Sequence, residues 1–175
     1  MIKKIILTLV LLLLIGGGAL FAINGKDHYD PSKYSATASK GLSINSKLDF
    51  TLPDQFDKAV TLTSETKKVI FVFAKATGHT VKAFLKKQDK EYLPSRHTLF
   101  VADISGMPTV IRNTFALPDF KKSAYSVALI YDKAIAKAYK NEKDADKITI
   151  VTLNNGVITD LQTLTAEDAL KTALN

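Results

Sequence analysis

The feature that most constrains this chain is an apolar stretch close to its N-terminus. It runs from Ile5 to Ile23 with one polar side chain, and it follows the basic pair Lys3 and Lys4. A basic start followed by an apolar run is typical of an export signal, and a membrane-spanning helix needs about 17–25 such residues. Residues 1–23 are therefore predicted to form a signal-anchor helix that lies outside any soluble core.

The charge before this helix predicts its orientation. Lysines that precede a spanning helix stay in the cytoplasm, so we expect a single-pass protein of the bacterial inner membrane with its domain in the periplasm. The alternative is a cleaved signal, because Gly16, Gly17 and Gly18 weaken a helix and the sequence near Ala22 loosely suits a signal peptidase. The protein would then be secreted or periplasmic. The length of the apolar run favours retention.

The chain contains no cysteine. This excludes disulfides, thiolate catalysis, Cys-ligated zinc and iron–sulfur clusters, and also the acylated cysteine of a bacterial lipoprotein. Membrane attachment must therefore come from the polypeptide itself. The formal net charge of +7 is spread over separated lysines without an arginine-rich or aromatic pattern, so a nucleic-acid partner is not expected.

Residues 24–40 are polar, contain many small side chains and have no apolar period. They are predicted to form a tether between the helix and one domain of residues 41–175. His28 lies between Asp27 and Asp30, which could suggest a metal site, but a solvated linker is the simpler interpretation. We predict neither a metal nor a cofactor.

The remaining sequence alternates between strand and helix patterns. The run 69–73 is continuously β-branched and aromatic, as in a strand covered on both faces, and Asn154-Asn155-Gly156 is a strong hairpin turn signal. Such alternation predicts an α/β domain with a central mixed sheet and helices on its faces. The predicted strands are 48–52, 59–63, 69–73, 98–104, 127–131, 148–153 and 157–161, and the predicted helices are 80–91, 108–115 and 166–174.

Three segments carry a resemblance to a known family. Residues 50–56 with 60–62, residues 69–74, and residues 148–158 are similar to the N-terminal hairpin, the strand before the active site and the terminal hairpin of the thioredoxin superfamily. The resemblance is strongest to its membrane-tethered thiol–disulfide oxidoreductases and peroxiredoxin-related proteins, and it covers roughly residues 41–175. It implies a three-layer α/β/α fold.

The chain departs from this family where the redox motif is expected. The family's Cys-x-x-Cys lies where the central strand enters its helix, and that position reads Thr77-Gly78-His79-Thr80 here. The family's cis-proline, placed before the terminal hairpin, falls on Lys147, where a cis bond would cost about 2.5–4 kcal/mol. Both departures indicate a redox site that has been lost. A threonine nucleophile is a weaker hypothesis, because Thr77 or Thr80 capping the helix is the simpler interpretation.

These observations favour a binding module over an enzyme. We expect no catalytic residue and no thiol–disulfide or peroxiredoxin activity. The resemblance implies a groove beside Thr77, Gly78, His79, Thr80 and Lys147 that holds an extended segment of another envelope protein. The alternatives are an accessory subunit that contacts a membrane complex through residues 1–23, and an enzyme with non-thiol chemistry.

Overall fold

The computed structural model describes residues 2–38 and 40–174, except for the side chains of residues 4, 13–15 and 20. Residues 1, 39 and 175 of the predicted segments lie outside this part. The strands are β1 Ser35–Ala38, β2 Leu48–Pro53, β3 Ala59–Thr61, β4 Lys68–Val72, β5 Thr98–Asp103, β6 Ala128–Ile130, β7 Ile148–Asn154 and β8 Val157–Leu164. The α-helices are α1 Ile2–Asn24, α2 Lys75–Leu85, α3 Thr109–Ile111, α4 Leu117–Phe120, α5 Lys133–Tyr139 and α6 Glu167–Leu174.

Five of these strands form the central sheet, in the order β6-β5-β4-β7-β8. β4 pairs with β5 in parallel and with β7 antiparallel, so the sheet is mixed. β7 and β8 form the predicted hairpin, with Asn155 and Gly156 at positive φ, which an Asn-Gly turn accommodates readily. The remaining strands form a separate antiparallel sheet in the order β1-β2-β3.

Helices cover both faces of the central sheet. On one face, Ile70 of β4 is buried with Phe84 of α2 and Leu170 of α6. On the other, Phe71 of β4 is buried with Tyr139 of α5 and with the small sheet. The α/β class and the three-layer thioredoxin-like arrangement predicted from the sequence are confirmed, as is the apolar helix that precedes them.

Helix α2 begins earlier than the sequence pattern predicts. It starts at Lys75, with two residues between it and the end of β4, and ends at Leu85, whereas the predicted range is 80–91. Its N-cap residue Ala74 makes no side-chain cap hydrogen bond, so the usual sequence signal for a helix start is missing. Helix α5 was not predicted at all, although Asp132 caps it by accepting a hydrogen bond from Ala134 N at 2.6 Å.

The segment from Thr109 to Phe120 is helical throughout, beyond the predicted end at residue 115. A π-helical turn, Arg112–Ala116, joins α3 to α4. Leu117 N donates to Arg112 O across this wide turn, and the helix then continues past Pro118, which lacks an N–H and sits in the first turn of α4. The proline therefore does not end the helix.

The tether interpretation is wrong for part of residues 24–40. Ser35–Ala38 forms β1 and pairs antiparallel with β2. Ala36 and Ala38 alternate with exposed neighbours and pack against the core, but such small side chains give a weak strand signal. The composition of residues 24–40 therefore resembles that of a linker, although part of this segment is a strand.

The segment before β1 also lies against the domain. Asn113 Nδ2 donates to Asn24 O and to Lys26 O, each at 2.9 Å. The ring of Tyr29 stacks on that of Tyr131, with centroids 4.6 Å apart. The end of α1 is therefore joined to the segment that contains α3 and α4.

Charged groups reinforce this attachment. The buried Arg112 guanidinium lies 2.7 Å from Asp27 Oδ1 and packs over the Tyr131 ring. Burial raises the pKa of Asp27, but its hydrogen bond from Tyr29 N and the Arg112 charge together hold that pKa below its ordinary value. Asp27 thus stays ionised beside Arg112 at neutral pH.

The side chain of Gln55 is a buried link between the two sheets, so its removal should destabilise the domain. Its Nε2 donates to Tyr125 O at 2.8 Å, and its Oε1 accepts from Val127 N at 2.9 Å. Gln55→Leu leaves both main-chain groups unpaired and should lower the free energy of unfolding by about 2–4 kcal/mol in urea titrations.

Gln162→Leu is the matched control, because Gln162 is exposed and its side chain hydrogen-bonds only to Asp160 among the described residues. That variant should change the free energy of unfolding by no more than about 0.5 kcal/mol. Equal effects of the two substitutions would show that Gln55 does not join the sheets.

Candidate functional site

A cavity lies at the edge of the central sheet where the parallel strands β4 and β5 both end. Its volume is about 600 Å³. Helix α2 forms one wall, and the segment that contains α3 and α4 forms the other. We call this cavity the α2 groove. It occupies the place where β4 leads into α2, at which the sequence resemblance predicts the redox motif.

The floor of the α2 groove is apolar. Val72, Ala102 and Ile104 are buried there. Part of its rim is also apolar and open to solvent, since Ile111 and Phe115 are 46% and 63% exposed. A water-accessible apolar surface of this kind is suited to apolar side chains of a ligand.

An ion pair joins the two walls of the groove. Lys82 Nζ of α2 donates to the carboxylate of Asp119 in α4, and to Asp119 O at 3.3 Å. The hydrogen bond from Lys82 lowers the pKa of Asp119, and burial opposes this effect. The charges of Lys82, Lys122 and His79 lower the pKa further. Asp119 is therefore ionised at neutral pH.

Two of the five site residues predicted from the sequence line the groove. Gly78 is half-buried and His79 is exposed there. A Cβ built on Gly78 would meet only Val72 Cγ2, at 3.8 Å, so this position accommodates a Cβ.

The two threonines do not cap the helix, which corrects the sequence interpretation. Thr77 is buried within the first turn, and its Oγ1 donates to Ala74 O at 2.9 Å. Thr80 Oγ1 donates to Ala76 O at 3.2 Å. Both hydroxyls bond to carbonyls of the preceding turn because the helix begins before them, and no described hydrogen bond joins either one to His79.

Lys147 lies on the other flank of β4. Lys147 directly precedes β7, whose first residue Ile148 pairs with Val72 in the antiparallel β4–β7 ladder. It therefore lies on the β7 side of β4, whereas the groove lies on the β5 side. Its Nζ donates to Asp144 Oδ1 at 2.9 Å, which raises the pKa of the ammonium group. No peptide bond among the described residues is cis.

The sequence did not predict the wall of the groove that the α3–α4 segment forms. Ile111 and Phe115 are four residues apart on one helical face, which is a recognisable pattern, but nothing in the sequence says that this face remains uncovered. Asp119 lies beyond the predicted end of the helix, so its pairing with Lys82 was also not foreseen.

The part of the chain that the structure describes contains no group of three or more His, Cys, Asp or Glu side chains that could hold a metal ion. His28 is exposed and lines a different cavity, of about 370 Å³, between the end of α1 and the β2–β3 turn.

Comparison with solved structures identifies the fold. A candidate protein disulfide isomerase from Bacteroides thetaiotaomicron aligns with a TM-score of 0.52 at 19% sequence identity, over 80% of this chain and 89% of that one. The thioredoxin domain of a thiol-disulfide oxidoreductase from Bacteroides vulgatus gives 0.50 at 14% identity, over 77% of this chain and 100% of that domain. No protein-family model and no curated protein matches the chain.

The chain has a thioredoxin-like fold and lacks the cysteines of a Cys-x-x-Cys motif. At these sequence identities, the likeness establishes the fold and leaves the activity to be argued from the groove itself.

The ion pair across the groove predicts a pH-dependent effect of Asp119→Asn. The pKa of Asp119 is lower in the folded protein than its ordinary value of 3.8. The ion pair therefore stabilises the fold fully above pH 3.8, and this contribution is lost as the pH falls through the pKa of the folded protein. Asp119 is 59% exposed, so the loss at pH 7 should be below about 1 kcal/mol.

Urea titrations of wild type and variant at pH 7 and below pH 3 would measure this difference. Glu65→Gln is the control, since Glu65 is exposed and has no ion pair among the described residues. A difference for Asp119→Asn that persists unchanged in acid would mean that the ion pair does not stabilise the fold.

Proposed function

We propose that this protein is a membrane-anchored, redox-inactive thioredoxin-fold domain that uses the α2 groove to hold an extended segment of another envelope protein. The observation that carries the proposal is an open apolar cavity at the position of the redox motif in a chain without cysteine. Thiol–disulfide exchange requires thiols, so the groove retains binding without that chemistry.

The shape and size of the groove support a peptide ligand. Its volume of about 600 Å³ lies within the usual range for ligand sites. The buried floor would take apolar side chains, and the exposed rim residues Ile111 and Phe115 would cover them from the open side.

Main-chain hydrogen bonding supports the same ligand. The amides in the first turn of α2 lack a side-chain cap, and Ala74 and Lys75 border the groove. Uncapped amides at a helix start donate to carbonyl or carboxylate oxygens, which an extended chain provides. Lys75 and His79 add exposed polar groups beside them.

Helix α1 supports the membrane location. Residues Ile5–Asn24 are long and apolar enough to cross a bilayer, with a mean hydropathy of 2.7, and the rest of the described structure buries none of this stretch. A signal sequence has the same properties. The attachment of Asn24 and Lys26 to Asn113 favours a retained helix, because the helix end is then part of the domain's structure.

The anchor predicts how the protein fractionates. If α1 is retained, the protein should remain in inner membranes after carbonate washing. N-terminal sequencing should then find a first residue that lies before Ile5. Immunoblotting of the fractions and N-terminal sequencing check this directly. A soluble periplasmic protein that begins near Ile23 would contradict the anchor, while the groove could still bind its partner.

A substitution that fills the groove with a side chain tests the binding function. Gly78→Leu places a side chain in the cavity and also replaces a helical glycine, which should leave the stability unchanged or raise it by about 1 kcal/mol. A photo-activatable residue at Ala116, which lines the opposite wall, should cross-link the partner in cells. Gly78→Leu should abolish the adduct.

Ala76→Leu is the matched control. Ala76 is exposed on the same helix and lies outside the groove lining, so the same side chain is added where it cannot obstruct the cavity. Its adduct should be as strong as that of the wild type. Equal adducts from both leucine variants would show that the partner does not occupy the groove.

A further inference from the structure

Exposed apolar side chains are concentrated around the end of α1. Outside α1, the described residues include four large apolar side chains that are exposed, namely Ile44, Phe56, Ile111 and Phe115. Three of them are near the point where α1 ends. Phe56 borders the same cavity as Ile23 and Asn24, and Ile111 belongs to α3, which packs against α1. Phe115 lies one helical turn beyond Ile111.

The end of α1 fixes the height of these side chains relative to a bilayer. Asn24 is the last residue of the stretch that can span a membrane, and its carbonyl accepts the hydrogen bond from Asn113. Asn113 lies between Ile111 and Phe115 in sequence. If α1 spans the membrane, this segment is held at the membrane boundary.

Exposed lysines lie beside these apolar side chains. Lys26, Lys121 and Lys122 are exposed, and Lys121 borders the cavity at the end of α1. Exposed lysines next to apolar side chains suit a surface of anionic phospholipid headgroups.

Two of the acids in this region are paired with cations, and two others accept hydrogen bonds from neutral donors. Asp27 contacts Arg112, and Asp119 is paired with Lys82. Asp57 Oδ1 accepts from Tyr34 Oη at 2.7 Å. Asp54 is buried and accepts from Phe56 N and Lys58 N.

We propose that Phe56, Ile111 and Phe115, flanked by these lysines, insert into the headgroup region of an anionic bilayer. This inference rests on the proposed anchoring by α1. The domain is then seated on the membrane surface through two contacts, the helix and this apolar surface. Since Ile111 and Phe115 also form the rim of the α2 groove, the groove opens at the lipid–water boundary.

Tryptophan fluorescence in a bilayer tests the seating directly. The chain has no tryptophan, so single-tryptophan variants of the full-length protein report one position each. Ile111→Trp and Phe115→Trp report the proposed surface, and Leu11→Trp reports the centre of α1. The variants are reconstituted in phosphatidylglycerol-containing vesicles whose acyl chains are brominated near the headgroup end or near the middle.

Ile44→Trp is the matched control for an exposed apolar side chain. Ile44 is 49% exposed but lies at the opposite end of the domain, next to Asn45, whose N–H bonds to Ile158 O of the terminal hairpin. Thermal unfolding of each variant checks that the substitution leaves the fold intact.

The expected result is strong quenching of the Ile111→Trp and Phe115→Trp variants by lipid brominated near the headgroups, deeper quenching for Leu11→Trp, and none for Ile44→Trp. Quenching for Leu11→Trp alone would overturn the seating and leave the anchor in place. Emission from positions 111 and 115 that is blue-shifted but unquenched would also overturn it, because protein would then cover this surface. No quenching in any variant would refute both the anchor and the seating.

Discussion

Strand β4 lies between β5 and β7, and its apolar side chains alternate between the two faces of the central sheet. Ile70 and Val72 pack towards α2 and α6, while Val69 and Phe71 pack towards α5 and the small sheet. Burying four large apolar side chains contributes roughly 6–12 kcal/mol of transfer free energy, so this strand cannot shift without loss of both cores. Its end fixes where α2 begins and therefore where the groove lies.

Much of this arrangement could be predicted because its signals are local. The run 69–73 is apolar at every position, and Asn-Gly at a turn has a specific backbone requirement that the positive φ of Asn155 and Gly156 meets. By contrast, β1 consists of small residues, and α2 starts without a capping side chain. These elements form because tertiary contacts hold them, and a local pattern cannot report such contacts.

The candidate site was predictable on one wall only. Gly78 and His79 follow from the resemblance to the redox motif, whereas Thr77 is buried and Lys147 lies on the other side of β4. The second wall depends on how the segment from Thr109 to Phe120 crosses the sheet edge. Its π-helical turn and its attachment to the end of α1 are consequences of three-dimensional packing.

A single region therefore combines three features of the molecule: the apolar groove, the end of the predicted membrane helix and an exposed apolar surface. In a chain without cysteine, these features are the basis for the proposal of a domain that binds a partner at the membrane without exchanging disulfides. The central claim is that the α2 groove is the place where the partner binds.

Hydrogen–deuterium exchange of the full-length protein, free and with its cross-linked partner, tests that claim most directly. The account predicts slower amide exchange in peptides covering residues 73–82 and 103–119 when the partner is bound, with no change in residues 41–47 or in the terminal hairpin. Protection confined to segments outside both groove walls would contradict it.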